Sequence, residues 1–182
     1  MNGKWPAGTA PLSSLRMKKL PALLRAAARV RQKAYAPYSG YPVGAAVLAG
    51  GRIFAAANVE NSSYPLSMCA ERNAVGMAIA AGAKRIDAVA IVGGRDRPAA
   101  PCGGCRQVLA ELSAPDTPVV YASADGQSVT TTVGALLPAA FGPVDLIRAG
   151  AESTGRMRGP AGIARSAARV RGTRKSGRRR SP

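Results

Sequence analysis

The sequence predicts an α/β fold in which one sheet is covered by helices on both faces. Helix-type and strand-type segments alternate along the chain, which is the pattern of a sheet packed on two sides. Residues 87–92 (Asp-Ala-Val-Ala-Ile-Val) lack the polar alternation of a half-solvated strand and read as a buried one. The chain of 182 residues is long enough to bury a core, and its patterned part, about 130 residues, is an ordinary size for one domain.

The elements follow in order. Residues 20–34 carry a helix pattern with Pro21 near its start, where a missing N–H is tolerated. Residues 43–49 and 52–58 read as strands joined at Gly50-Gly51, a hairpin signal. Residues 70–81 form an apolar helical run ended by Gly82. The strand at 87–92 is followed by a helix at 104–112 and a strand at 118–122. Asp125-Gly126 marks a turn before a strand at 128–133, and a short final helix begins at 133–137.

Charge is distributed unevenly. The chain has 26 Lys/Arg against 9 Asp/Glu, a net of +17. Residues 151–182 alone hold 10 Lys/Arg and one Glu, in a stretch rich in Gly, Ser, Arg and Pro. Such a segment has too little apolar surface to offset its ordering entropy. Residues 1–17 and 151–182 are therefore expected to be disordered, and residues 18–150 to form the single domain. The basic tail is expected to attract nucleic acid only non-specifically. No apolar run approaches the ~20 residues that cross a bilayer, and the N-terminus lacks the pattern of a secretory signal. No membrane partner and a cytoplasmic location are expected.

The chemistry is concentrated in two cysteine clusters, Cys69-Ala70-Glu71-Arg72 and Pro101-Cys102-Gly103-Gly104-Cys105-Arg106. Structural zinc normally has four protein ligands, whereas catalytic zinc has three and a solvent position. With three cysteines and no histidine, one chain cannot build a closed Cys/His tetrahedron. Cys102 and Cys105 are three apart, so at a helix start they share a face. Cys69 opens the next apolar helical run, where the helix dipole favours a thiolate. Glu71, two positions from Cys69, faces elsewhere on the helix and is left free to move protons. Arg72 and Arg106 are placed to donate hydrogen bonds to the sulfurs. A redox Cys-x-x-Cys pair, or cysteines acting as small buried hydrophobes, are the plainer alternatives. The odd cysteine count argues against disulfides.

These clusters resemble those of the cytidine deaminases, in the form with three cysteine ligands. The resemblance extends from Ala36-Pro37-Tyr38-Ser39-Gly40-Tyr41-Pro42-Val43-Gly44-Ala45-Ala46 through Asn58-Val59-Glu60-Asn61-Ser62-Ser63-Tyr64. It continues through Cys105-Arg106-Gln107-Val108-Leu109 and Glu111 to Leu136-Leu137-Pro138 and Phe141-Gly142-Pro143. It covers roughly residues 18–148, with the motifs in the family's order. The resemblance implies a three-layer α/β/α sandwich around a five-stranded mixed sheet. It also implies Zn2+ held by Cys69, Cys102 and Cys105, and deamination of cytidine and 2′-deoxycytidine by an activated water with Glu71 as proton shuttle. Asn58 and Glu60 match the ribose-binding pair, and two-residue spacing lets both face one sugar. The Ala70 N–H matches the donor to the pyrimidine carbonyl. Tyr41 stands where the family usually has phenylalanine. Phe141 matches an aromatic that enters a neighbouring subunit's site, and Tyr64 a residue at the subunit contact. A homotetramer with shared active sites is therefore expected.

Three other readings stay open at this point. The basic tail suits a deaminase acting on RNA or single-stranded DNA, but a carboxylate at the ribose would repel a polymer's phosphate. A blasticidin-type aminonucleoside deaminase would not need the ribose-fitting Asn58-Val59-Glu60-Asn61. A non-catalytic zinc or nucleic-acid module would leave Glu71 without a purpose.

Overall fold

In the computed structural model, residues 11–143, 145 and 146 are described. The expected tail at 151–182 and the first ten residues lie outside them. By internal contacts the chain divides after Gly142, and the second unit opens with helical backbone at Pro143, Asp145 and Leu146.

The first unit is built on five strands: β1 (Val43–Ala49), β2 (Arg52–Ala57), β3 (Ala88–Gly93), β4 (Pro118–Ala122) and β5 (Ser128–Thr132). They lie in the order β2-β1-β3-β4-β5. The pair β3–β4 is parallel and every other neighbouring pair is antiparallel, so the sheet is mixed, as expected. The helices are α1 (Pro11–Arg31), α2 (Ala70–Ala80), α3 (Gly103–Leu112) and α4 (Val133–Leu136), with a 3₁₀ turn at Tyr64–Leu66.

The alternation of side chains sorts the strands onto two cores. On β1, Ala45, Val47 and Ala49 join a core with Ala70, Ala74 and Val75 of α2 and Leu109 of α3. Ala46 and Leu48 turn the other way, onto Leu20, Leu23 and Ala27 of α1. On β3, Val89 and Ile91 take the first face and Ala88, Ala90 and Val92 the second. The face toward α1 is thus lined mostly by small residues, and the helix comes very close. A Cβ on Gly44 would meet the Ala27 carbonyl oxygen at 2.1 Å. Only glycine fits there, for want of space rather than for its dihedral freedom.

One expectation is corrected. Helix α1 begins at Pro11, not residue 20, so the range expected to be disordered up to residue 17 includes helix from 11 onward. The cause is Arg16, which is buried and faces Asp87 at 3.7 Å and Asp116 at 3.8 Å. Arg16, Leu20, Leu23 and Ala27 form one helical stripe. Pro21 consequently sits inside the helix rather than at its first turn. An interior proline costs about 3 kcal/mol, which that stripe must offset.

Both cysteine clusters lie where strands hand over to helices. β2 and β3 each run antiparallel to β1, so they run parallel to each other. The chain leaves β2 toward α2 and β3 toward α3, bringing both helix N-termini to the same end of the sheet.

Candidate active site

Cys69 is the N-cap of α2 and Cys102 the N-cap of α3, with Cys105 on the first turn of α3. Neither N-cap side chain caps the backbone N–H groups of its own helix, so both sulfurs are left for other partners. The three sulfurs all lie within 4.8 Å of one another, and Cys69 and Cys102 are 3.8 Å apart. Cys105 is buried, Cys69 half-buried and Cys102 exposed. Three soft donors this close, each at or just inside a helix N-terminus, fit a tetrahedral thiophilic ion with one open position.

The electrostatics fit as well. Hydrogen bonding from the Cys105 thiol, then from Cys102, together with the charge of Arg72, brings Cys69 down to about 5 from an ordinary 9. Cys105 moves the opposite way, because its proton is held in the bond to Cys69 and because it is buried. Cys69 is thus the sulfur whose surroundings most favour the thiolate form. Arg72 donates from Nη2 to the Ser67 carbonyl at 2.8 Å, while its Nε is buried with no hydrogen-bond partner. Arg106 departs from expectation. It donates to the carbonyls of Pro101 (2.9 Å) and Leu136 (3.2 Å) rather than to a sulfur. The carbonyls of the segment before Cys102 and of α4 are its nearest acceptors, so it braces the cluster through the backbone.

Glu71 is buried, only 5 % exposed, beside the cluster. Burial pushes its carboxyl above the ordinary value and the Cys69 charge adds to this, while hydrogen bonds from its own backbone N–H and the Cys105 thiol oppose. A carboxyl held nearer neutrality is suited to taking and returning a proton.

Beside this group is a cavity of about 410 Å³. Cys69, Ala70, Glu71 and Cys102 form one part of its wall, and Ser39, Tyr41, Asn58 and Glu60 another. Ile91, Ala99 and Ala100 add apolar surface. The structure therefore gathers Cys69, Cys102, Glu71, Ala70, Tyr41, Asn58 and Glu60 around one space, with Cys105 behind. Phe141 is not in that wall. It is 59 % exposed, and its carbonyl accepts from Gln107 Nε2 at 2.7 Å. Tyr64 is 70 % exposed and meets Tyr38 edge-on, with 6.0 Å between ring centres.

Asn58 and Glu60 lie just past the end of β2, and both bind protein. Asn58 Oδ1 accepts from the Val43 N–H at 2.9 Å, and its Nδ2 donates to the Tyr41 carbonyl at 3.1 Å. The Glu60 carboxylate accepts from the N–H groups of Tyr38 (2.9 Å) and Ser39 (3.2 Å) and from the Ser39 hydroxyl. These donors, the Ser39 hydroxyl above all, hold its carboxyl below the usual range against a smaller opposing effect of desolvation. The Tyr41 hydroxyl packs near Gly94, where an added Cβ would meet it at 3.0 Å. Sequence reasoning did not single out Ser39, although it stands within the Pro-Tyr-Ser-Gly motif. Ile91, Ala99 and Ala100 carry no chemical signal that could have found them.

Comparison with known proteins agrees with this geometry. Residues 17–122 match the family described as the cytidine and deoxycytidylate deaminase zinc-binding region. The cytidine deaminase of Sporosarcina psychrophila is 43% identical over 125 residues, 68% of this chain and 92% of that one. That of Halalkalibacterium halodurans is 44% identical over 125 residues, 68% of this chain and 95% of that one. Among solved structures, the cytidine deaminase from Burkholderia pseudomallei is similar at a TM-score of 0.64 and 48% identity, covering 66% of this chain and 98% of that one. The fold and the thiol cluster together define an enzyme, a zinc-dependent hydrolase of the deaminase class. Within that class, the chain belongs to the cytidine and deoxycytidylate deaminase family. Among the described residues, no helix is long and apolar enough to cross a membrane.

Proposed function

We propose that the enzyme hydrolyses cytidine and 2′-deoxycytidine to uridine and 2′-deoxyuridine with release of ammonia, serving pyrimidine salvage. One observation carries this reading. The buried Glu71 lines a single cavity with Cys69 and Cys102 of the three-thiol cluster and with Asn58 and Glu60.

Cys69, Cys102 and Cys105 would hold the zinc, which when bound supplies the Lewis acidity that makes water a competent nucleophile at neutral pH. The chain's own residues do the rest. Glu71 accepts the proton of the attacking water and passes it to ring N3, which makes C4 more electrophilic. The carboxylate then takes the second proton of that water, now on the C4 hydroxyl, and gives it to the departing amine. One carboxyl serves as base and then as acid because its burial keeps both forms accessible. The Ala70 N–H, at the start of α2, donates to the pyrimidine carbonyl. Asn58 and Glu60 take the sugar hydroxyls, and Tyr41 lines the approach. Arg72 offsets the negative charge of three thiolates.

The reading includes a homotetramer, since Phe141 and Tyr64 are exposed in the single chain and suit a neighbour's site and a subunit contact. The catalytic domain, expected at residues 18–150, takes in the earlier turns of α1 from Pro11 as well. The three unpaired thiols suit a reducing cytoplasm, and the tail's charge attracts nucleic acid without serving the chemistry. Ammonia release from cytidine, cytidine monophosphate, a cytosine oligonucleotide and blasticidin tests the reading. Turnover is expected on cytidine, and activity confined to the oligonucleotide or to blasticidin would refute it.

A further inference from the structure

We propose that Ser39 is a positioning residue for sugar recognition, acting through Glu60. The proposal rests on the reading above, in which Glu60 faces the ribose. An ionised carboxylate has about four acceptor sites, two on each oxygen. Here Oε2 takes both backbone donors, Tyr38 N–H and Ser39 N–H, while Oε1 takes only the Ser39 hydroxyl. One acceptor site remains, and it is on the oxygen that Ser39 orients. The same hydroxyl also accepts from the Tyr41 N–H at 3.0 Å. Ser39 Oγ therefore links Glu60 to the backbone of Tyr41, two cavity-lining residues nineteen positions apart in sequence.

Without that hydroxyl, Oε1 has two open sites and no fixed direction. The carboxylate keeps its backbone donors on Oε2 and pivots about them. Tyr41 loses the partner of its N–H, although Asn58 Nδ2 still holds its carbonyl. The loss falls on sugar binding and not on proton transfer, because Glu71 and the thiols are untouched. A hydrogen bond to a charged group is worth enough to move affinity by about tenfold.

The test is steady-state kinetics on the zinc-loaded enzyme, with zinc content measured for every variant. Ser39→Ala should raise KM for cytidine about tenfold with a much smaller change in kcat. Ser39→Thr, which keeps the hydroxyl at an exposed position, should restore KM. Placed on Glu60→Gln, Ser39→Ala should add little. Turnover of 2′,3′-dideoxycytidine, which lacks both ring hydroxyls and keeps only the 5′ one, should be nearly indifferent to Ser39→Ala, because the open site on Glu60 is assigned to a ring hydroxyl. If wild type does not deaminate cytidine, the proposed function falls and this inference with it. If wild type is active but Ser39→Ala lowers kcat at constant KM, or raises KM equally in the Glu60→Gln background, the function stands and the role of Ser39 is overturned.

Discussion

Replacing Gly44 with alanine should destabilise the domain and weaken substrate binding, although residue 44 lies outside the cavity wall. The new Cβ would stand 2.1 Å from the Ala27 carbonyl oxygen, 2.7 Å from the Arg31 nitrogen and 2.9 Å from Arg31 Cβ. Favourable contact begins at about 3.5 Å, so α1 must withdraw by roughly 1 Å or more. Overpacking of this kind costs about 1–3 kcal/mol, and the upper end applies because the obstacles are mostly helix backbone. Losing glycine's freedom in the unfolded chain returns about 0.4–1 kcal/mol. The net cost is about 2 kcal/mol, a fall in Tm of roughly 6–10 °C for a domain of this size. Function follows through Arg31, whose Nε donates to the Pro42 carbonyl at 3.0 Å and whose Nη2 donates to the Gly94 carbonyl at 3.3 Å. Those two segments flank Tyr41, so a retreating α1 should raise KM for cytidine several-fold. Calorimetry at one fixed protein concentration, since the proposed assembly would make Tm concentration-dependent, and cytidine kinetics test this. A Tm within about 1 °C of wild type with unchanged KM would show that the α1–β1 approach constrains neither stability nor the site.

Other outcomes follow from the same geometry. Arg16→Ala should lower Tm by a few degrees with kcat and KM little changed, because Arg85 still pairs with Asp87 at 3.1 Å and the cluster is remote from the cavity lining; unchanged melting would mean that the first turns of α1 contribute nothing. Chelated protein should show thiolate absorbance in the ultraviolet at neutral pH, lost as pH falls through about 5. The sign follows from a folded value below the ordinary 9: the thiolate's contribution to the folded apo-protein is complete above 9 and fades as pH falls toward 5. An absorbance that appears only near 9 would refute the lowered Cys69 value. Deleting residues 151–182 should leave cytidine turnover intact while reducing salt-sensitive binding to polyanions; a cytosine strand deaminated only by full-length protein would instead favour a nucleic-acid substrate.

Much of the architecture was legible because burial leaves a direct mark on sequence. Strands β1 and β4 coincide with the expected segments, and the other strands, α2, α3 and α4 differ by a residue at one or both ends. The misplaced start of α1 has a physical cause. Its anchor, Arg16, answers to Asp87 and Asp116, whose proximity depends on the tertiary fold and not on local pattern. The thiol cluster was readable because metal binding demands particular side chains at helix starts. The use made of Asn58, Glu60 and Arg106 was not, since each bonds a backbone group fifteen or more positions away, the Val43 N–H, the Tyr38 N–H and the Leu136 carbonyl. Ser39 was missed for the same reason: a serine in a turn gives no sign that its hydroxyl joins a carboxylate twenty-one positions away to the backbone two residues on.

On the proposed function, three thiols hold a zinc at which Glu71, not itself a ligand, moves protons. It is tested most directly by measuring zinc content and cytidine turnover together in wild type, Cys102→Ala and Glu71→Gln. Wild type should carry one zinc per subunit and deaminate cytidine, and Cys102→Ala should lose both. Glu71→Gln should keep its zinc while turnover falls by about 10²–10⁴, the usual contribution of a general acid–base residue. Full activity in zinc-free wild type, or near-normal turnover in zinc-loaded Glu71→Gln, would contradict it.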